Sequence, residues 1–232
     1  MAGVSLVTFG LGGTMVSGPA RWLILAAGFF GMGVITLSIT YILQVQNALQ
    51  RRDSGVMKLT TTAGRPPTGI ELLETYAELG CRAELGELFR EWRNWSNAVL
   101  YSHAAHPVLA YFRSVSANID WPTAAEVALD AASLLLAFVD EKNIGQAALL
   151  HRDGSRLAAV MARIFEVELK DAPAVTPAAV AVLRDRLSVA GYPLKSEKDA
   201  AEVFAKLRSD YAGRLAALAK HVGAATAELL PD

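Results

Sequence analysis

The sequence predicts an all-α protein in which one membrane-spanning helix follows a short glycine-rich segment and precedes a helical bundle. Three observations lead to this fold class. Residues 22–43 form one uncharged apolar run, apolar residues recur at helical spacing after residue 67, and no stretch alternates with the two-residue period of a strand. The predicted domains are residues 1–20, a membrane helix at 21–46, a connector at 47–67 and a helical domain at 68–232.

The run at 22–43 contains no Lys, Arg, Asp, Glu or His. At about 1.5 Å per residue it extends roughly 33 Å, which is enough to cross a hydrocarbon core of about 30 Å. A buried core helix seldom stays uncharged for so long, and a signal peptide would have a basic start and a small-residue cleavage site. We therefore expect a single span that stays in the mature protein.

Flanking charge predicts the orientation of this span. Arg21 precedes the run, whereas Arg51, Arg52, Lys58 and Arg65 follow it. By the positive-inside rule, the C-terminal domain faces the cytoplasm. The basic residues of the connector could contact anionic lipid headgroups or only mark the membrane boundary.

Composition excludes several classes of function. The 22 Lys and Arg residues balance 23 Asp and Glu residues, so no general positive field attracts nucleic acid. Cys81 is the only cysteine and cannot form an internal disulfide, which suits a reducing compartment. The sequence contains no phosphate-binding loop, nucleophile elbow or metalloprotease helix motif, so we do not expect an enzyme.

The segment before the span has the pattern of an ion-coordinating loop. Its core consists of Thr8, Phe9, Gly10, Leu11 and Gly12. Glycines at alternate positions adopt positive φ without penalty, so successive carbonyls can face one axis and replace the hydration shell of a cation. A glycine-rich turn that leads into a membrane helix would have the same composition, so a purely structural interpretation stays open.

Residues 4–73 resemble the second half of the pore module of bacterial two-transmembrane potassium-channel-like proteins whose filter reads TLGLGD. The matching parts are TFGLG at 8–12, the glycine-rich helix, the pair Arg51 and Arg52, and AGRPP at 63–67. The likeness continues through 102–114 into the helical C-terminal region. It implies a homotetrameric pore in the inner membrane, with potassium as the permeant ion, no cofactor and a cytoplasmic domain open to an unidentified regulator.

Two departures from this family affect conduction. Gly13 stands where the family filter has an acidic residue, which removes a ring of carboxylates from the outer mouth. Only seven residues precede Thr8, whereas such pores need an outer helix and a pore helix before the filter. The chain therefore resembles an N-terminally truncated subunit or a member that cannot form a pore by itself.

Gly28, Gly31 and Gly33 are the candidate hinge of the inner helix. They would let inner helices approach closely or bend as a gate, although glycine is common in membrane helices generally. His103 and His106 are three residues apart and could face one side of a helix as metal ligands. No further ligand follows at a recognisable spacing, so a polar contact or packing role is preferred.

The domain at 68–232 is predicted to contain about six helices. Their boundaries follow from a capping box at Thr68 and Glu71, from Gly80, Pro107, Asp120, Thr176 and Gly191, and from one last helix with an apolar stripe at 203–222. The helix at 121–140 is predicted to be core and not a second span, because its apolar run is short and flanked by acids. A long helix is predicted at 143–169.

The favoured function is that of a potassium-type cation channel subunit, or its C-terminal half, in the lipid bilayer. The backbone carbonyls of Thr8, Phe9, Gly10 and Leu11 and the Thr8 hydroxyl would coordinate dehydrated ions. The competing function is that of a single-span, membrane-anchored helical scaffold or regulatory protein whose pore loop is vestigial.

Overall fold

The computed structural model describes residues 18–64, 66–114, 119–141, 144–168, 174–196 and 200–230. Within these ranges every regular element is helical, which confirms the predicted all-α class. Two isolated β-bridges, Gly64 with Pro67 and Val139 with Leu194, also occur in these ranges.

The described part of the chain forms eight α-helices and two short 3₁₀ turns. The helices are α1 Pro19–Thr62, α2 Gly69–Glu78, α3 Leu85–Ala105, α4 Trp121–Phe138, α5 Gly145–Ile164, α6 Pro177–Val189, α7 Ala200–Ser209 and α8 Ala212–His221, and the 3₁₀ turns are Arg82–Glu84 and Pro107–Tyr111. The chain divides into two units, Met1–Asn47 and Ala48–Asp232.

The described part of the first unit is the beginning of α1. This helix is long and apolar enough to cross a membrane, and only 6% of its most apolar 18 residues are buried. A signal sequence would also be long and apolar enough. Thr36, Ser38 and Thr40 donate side-chain hydrogen bonds to the carbonyls four residues earlier, at 2.8–2.9 Å. These polar side chains are therefore satisfied within the helix, as burial in lipid requires.

The second unit is built around α4. This helix also has the length and composition of a span, but 94% of it is buried inside the protein. Helices α2, α3, α5, α7 and α8 all contact it. The prediction that this helix is core is confirmed.

Local sequence signals define the helix ends as predicted. The N-caps Thr68, Asp120 and Thr176 each accept a hydrogen bond from a backbone N–H of the first turn, at 3.3, 2.8 and 3.2 Å. Gly80 and Gly191 have φ of +71° and +79° directly after the caps of α2 and α6. Both are left-handed positions that glycine adopts without steric cost.

The prediction of one last helix across the apolar stripe at 203–222 was wrong, because the helix breaks at Asp210 and Tyr211. The described residues of 68–232 therefore contain seven α-helices and not six. A straight helix over 200–221 would be about 33 Å long, whereas α4 is about 27 Å long. The break lets α7 and α8 both contact α4.

Helix α5 is shorter than the predicted helix at 143–169. It ends at Ile164. Just after this end, Glu166 has a φ of +49°, and the Val167 N–H donates to the Ala162 carbonyl at 3.1 Å. This bond closes the last turn, so the backbone cannot continue as a helix.

Gly69 is the point of closest approach between α2 and α4. A Cβ at this position would lie 2.6 Å from the backbone nitrogen of Ala131, which cannot move as a side chain can. We expect Gly69→Ala to lower the free energy of unfolding by about 1–3 kcal/mol. Thermal unfolding of the detergent-solubilised chain, followed by circular dichroism, measures the change.

Gly86→Ala is the matched control for this substitution. Gly86 lies in α3, and nothing is within 4 Å of a Cβ built there. Alanine should raise stability at this position by about 0.5–1 kcal/mol, because it restricts the unfolded chain and favours the helix. Equal stability of the two variants would contradict the close α2–α4 contact.

Candidate functional site

The predicted filter lies outside the described residues. Thr8, Phe9, Gly10, Leu11 and Gly12 all belong to residues 1–17, as does Gly13. The ion-coordinating role of this segment stays a prediction.

The three glycines of the predicted hinge lie in α1, which is helical on both sides of each. Gly28 and Gly31 are buried, whereas Gly33 is exposed and has open space where a side chain would be. The helix has no break at these positions. A gating hinge stays a hypothesis.

The last part of α1 is fixed within the second unit by Arg52. Its side chain is buried, with 2% of the residue exposed, and is not free to contact lipid headgroups. Arg52 Nη1 donates to the carbonyls of Leu109, at 3.2 Å, and Phe112, at 2.8 Å, while Nε donates to Asp53 at 3.0 Å. The guanidinium thus donates to two carbonyls at the end of the 3₁₀ turn Pro107–Tyr111, of which the Leu109 carbonyl also accepts from the Phe112 N–H at 3.2 Å.

Trp95 of α3 contacts the backbone of α1 at the same residue. Its indole Nε1 donates to the Arg52 carbonyl at 3.0 Å, and a Cβ on Gly55 would collide with the same indole ring. Position 55 therefore has to be glycine for Trp95 to reach the backbone of α1. Beside it is a shallow groove of about 90 Å³, where Lys58 and Glu91 form an exposed ion pair that contributes little stability.

His103 lies in the core near Arg52. Its Nδ1 donates to the Val99 carbonyl at 2.9 Å, and its ring packs on Trp121 with 5.3 Å between ring centroids. Burial is the main cause that lowers the pKa of His103, the hydrogen bond to the Val99 carbonyl opposes it and the nearby charge of Arg52 adds to it, so that the resulting pKa is about 4. The imidazole is therefore neutral at physiological pH.

His106 is the residue that directly follows α3. Among the described residues, no three His, Cys, Asp or Glu side chains form a group that could hold a metal ion. The arrangement of His103 and His106 thus gives no support to the metal-site alternative.

A second polar cluster is buried between α4, α7 and α8. Arg208 Nε donates to Asp130 at 2.8 Å, and Arg208 Nη2 donates to Glu126 at 3.1 Å. The Tyr211 hydroxyl donates to Asp130 at 2.7 Å and lies 3.0 Å from the Ser133 hydroxyl. All five side chains are buried. The cluster lies away from solvent, so its groups bind one another and do not face a substrate.

The surroundings of Glu126 favour its protonated form. Burial and the charge of Asp130 raise the pKa of Glu126 while Arg208 opposes both, and the resulting pKa is about 8. Burial alone would lower the pKa of Arg208, but Asp130, Tyr211 and Glu126 together outweigh burial and raise that pKa.

The sequence contains a signal for this cluster that helical periodicity alone does not reveal. Glu126 and Asp130 are four residues apart in an otherwise apolar helix, so they share one face. Buried acids need a partner, and Arg208 is a basic residue within the apolar stripe of the last helical region. This combination predicts an internal ion pair.

Comparisons with protein-family models, with curated proteins and with solved structures find no match to this chain.

Replacing Arg52 should loosen the last part of α1 within the second unit. Arg52→Ala removes the Nη1 hydrogen bonds to the Leu109 and Phe112 carbonyls and the ion pair to Asp53, so we expect a loss of about 1–3 kcal/mol of stability. Arg51→Ala is the control, because Arg51 is exposed on the same helix, and it should change stability little. Guanidinium-induced unfolding in detergent compares the two, and similar midpoints would contradict the role of Arg52.

The raised pKa of Glu126 predicts a pH dependence of stability. The folded state holds a proton that the unfolded state releases above its ordinary pKa of 4.5, so this contribution to stability is lost as pH rises toward about 8. Glu126→Gln keeps the hydrogen bond from Arg208 but does not titrate. Melting temperatures across pH 5–8 should therefore fall less steeply for this variant than for the wild type.

Asp185→Asn is the control for the pH experiment. Asp185 is exposed on α6, so its removal should leave the slope of stability against pH as in the wild type. A wild-type slope in Glu126→Gln would show that Glu126 is ionised in the folded protein at neutral pH.

Proposed function

We propose that this chain is a subunit of a potassium-type cation channel of the inner membrane, or the C-terminal half of one. In this proposal α1 is the inner helix of a homotetramer, the loop at 8–12 supplies the ion path, and the second unit lies in the cytoplasm. The protein is not an enzyme and uses no cofactor.

The observation that carries this proposal is the apolar surface of α1. Trp22, Leu23, Phe30 and Leu37 each expose two thirds or more of their surface, and the whole run 22–43 is uncharged. An apolar surface of this length needs lipid or other protein to cover it. A membrane helix packed against copies of itself satisfies that requirement.

The continuity of α1 supports a coupling role for the second unit. The helix runs unbroken from Pro19 to Thr62, and Arg52 and Gly55 of this same helix are held within the second unit. In this proposal the second unit biases a gate in the apolar part of α1 through the residues of α1 that it holds.

The proposed ion chemistry comes from the sequence of the loop. The carbonyls of Thr8, Phe9, Gly10 and Leu11 would form rings around a symmetry axis and replace the water of a dehydrated cation. Gly13 in place of an acid removes negative charge from the outer mouth, so we expect weaker attraction of cations than in the family pattern.

A single-span scaffold is the second candidate function. The second unit has its own core, and Tyr101 and Tyr111 expose 78% and 81% of their surface. Exposed aromatic side chains often mark surfaces that bind other proteins. In this alternative α1 only anchors the bundle, and the loop at 8–12 coordinates nothing.

Rubidium uptake into proteoliposomes tests the two functions. Vesicles containing the full-length form should take up rubidium, and Gly10→Ala should abolish uptake because the new Cβ prevents the positive φ that aims the carbonyls. Gly86→Ala is the control and should leave uptake unchanged. Chemical cross-linking of the same vesicles should give tetramers.

Absence of uptake from vesicles that contain tetramers would favour the scaffold. The DNA upstream of Met1 gives an independent test. An in-frame outer helix and pore helix are expected there under the channel proposal, and the longer product would then be the form to assay.

A further inference from the structure

The second unit exposes apolar side chains at the C-terminal end of α3 and on the 3₁₀ turn that follows it. Phe112 and Val108 expose 45% and 39% of their surface, and Tyr101 and Tyr111 expose far more. Every exposed residue from 104 to 112 is apolar or aromatic. Exposed apolar patches of this kind mark contacts with protein or with a membrane. We call this patch the aromatic surface, and it consists of Tyr101, Ala104, Ala105, Pro107, Val108, Tyr111 and Phe112.

The stretch of chain that carries the aromatic surface has no acidic residue. From Trp92 to Ile119 the sequence contains no Asp or Glu, and residues 115–118, which lie outside the described ranges, add no charge. Arg113 directly follows the surface and is exposed. An anionic lipid surface therefore meets no carboxylate of this stretch, and it meets one guanidinium.

The aromatic surface lies at the end of the second unit where α1 enters it. The unit begins at Ala48, and Arg52, four residues later, donates to the carbonyls of Leu109 and Phe112. These two hydrogen bonds hold the turn Pro107–Tyr111 beside the first residues that α1 contributes to the unit.

Helix α3 brings Tyr101 to the same end. Glu91 of α3 pairs with Lys58 of α1, and Trp95 of α3 donates to the Arg52 carbonyl, so the two helices run antiparallel. Tyr101 lies six residues, or about 9 Å, further along α3 than Trp95. The exposed residues at the end of α3 therefore lie toward the start of the unit.

Chain length limits the distance between this end of the unit and a membrane that α1 spans. The uncharged run ends at Leu43 and the unit begins at Ala48, so even a fully extended connection is at most about 18 Å long. The headgroup region adds about 5–8 Å on each side of the hydrocarbon core. Tyrosine is enriched at this depth because its ring is apolar and its hydroxyl is polar.

We propose that the aromatic surface inserts into the headgroup region of the membrane that α1 spans. Tyr101 and Tyr111 place their hydroxyls among the headgroups, while Val108 and Phe112 pack on the acyl chains. The scaffold alternative assigns the two tyrosines to a partner protein, but their place beside the start of the unit favours lipid. The proposal rests on the insertion of α1 and not on ion conduction, so it applies to a channel subunit and to an anchored scaffold.

Spin labels on the full chain in liposomes of phosphatidylethanolamine and phosphatidylglycerol test the proposal. Cys81→Ser removes the only cysteine, and Tyr111→Cys, Leu37→Cys or Val189→Cys then carries a single label. Paramagnetic resonance compares access of oxygen, which concentrates in lipid, with access of a water-soluble nickel chelate. We expect the label at 111 to lie about 5–10 Å into the boundary between headgroups and acyl chains, with the label at 37 deeper and the label at 189 in water.

Val189 is the control because it is exposed at the other end of α3. The neighbouring Gly191 carbonyl accepts a hydrogen bond from Arg82, which directly precedes that helix in the chain. If the label at 111 behaves as the label at 189 does while the label at 37 is in lipid, the proposal is overturned and membrane anchoring stands. Shielding of the label at 111 from both reagents would indicate a protein partner and would overturn the proposal too. A label at 37 in water would overturn both this inference and the membrane function, whereas a rubidium assay without uptake bears on conduction alone.

A second variant tests whether the surface inserts as a unit. With the label at 101 (Tyr101→Cys), Tyr111→Asp should move that label toward water, because a charge at 111 disfavours insertion. Tyr111 is exposed, so the substitution should leave the fold intact, and circular dichroism checks this. Val189→Asp is the matched control and should leave the depth of the label at 101 unchanged. An unchanged depth in Tyr111→Asp would contradict insertion of the whole surface.

Discussion

The second unit depends on two carboxylates placed in a helix that has almost no exposed surface. Glu126 and Asp130 are buried in α4, so they need partners within the protein. Arg208 donates hydrogen bonds to both, and burial raises the pKa of Glu126, which favours its neutral form. The Tyr211 hydroxyl also donates a hydrogen bond to Asp130. Helices α7 and α8 are therefore held against α4 by directional bonds as well as by apolar packing, which fixes their register more tightly than apolar contacts alone.

Arg52 holds the last part of α1 in a similar way, but its main hydrogen-bond acceptors are backbone carbonyls. Arg52 donates to two carbonyls at the end of the turn Pro107–Tyr111. Gly55 allows Trp95 of α3 to donate to the Arg52 carbonyl, so one residue of α1 donates to the turn and accepts from α3. A polar contact of this kind cannot slide along the helix, unlike a stripe of apolar side chains. It therefore holds the last part of α1 at a defined position within the second unit.

Local features of the fold could be predicted from the sequence, whereas tertiary polar contacts could not. The caps at Asp120 and Thr176 and the glycine after α2 depend on a few neighbouring residues, and they agree with prediction. The break at Tyr211 depends on partners about 80 residues away, which periodicity does not reveal. Basic residues after a span usually mark the membrane boundary, so nothing local distinguished buried Arg52 from exposed Arg51. The predicted filter lies outside the described residues.

Three arginines of the second unit differ in how fully their donors are used. Arg208 has carboxylates on two sides. Arg52 has two carbonyls and one carboxylate, and its Nη2 is buried without a partner. Arg184 has one carbonyl, and its Nη1 is likewise buried without a partner. A buried donor without an acceptor costs free energy, so Arg208, whose charge is matched by carboxylates, is the arginine of the three that the fold uses most fully.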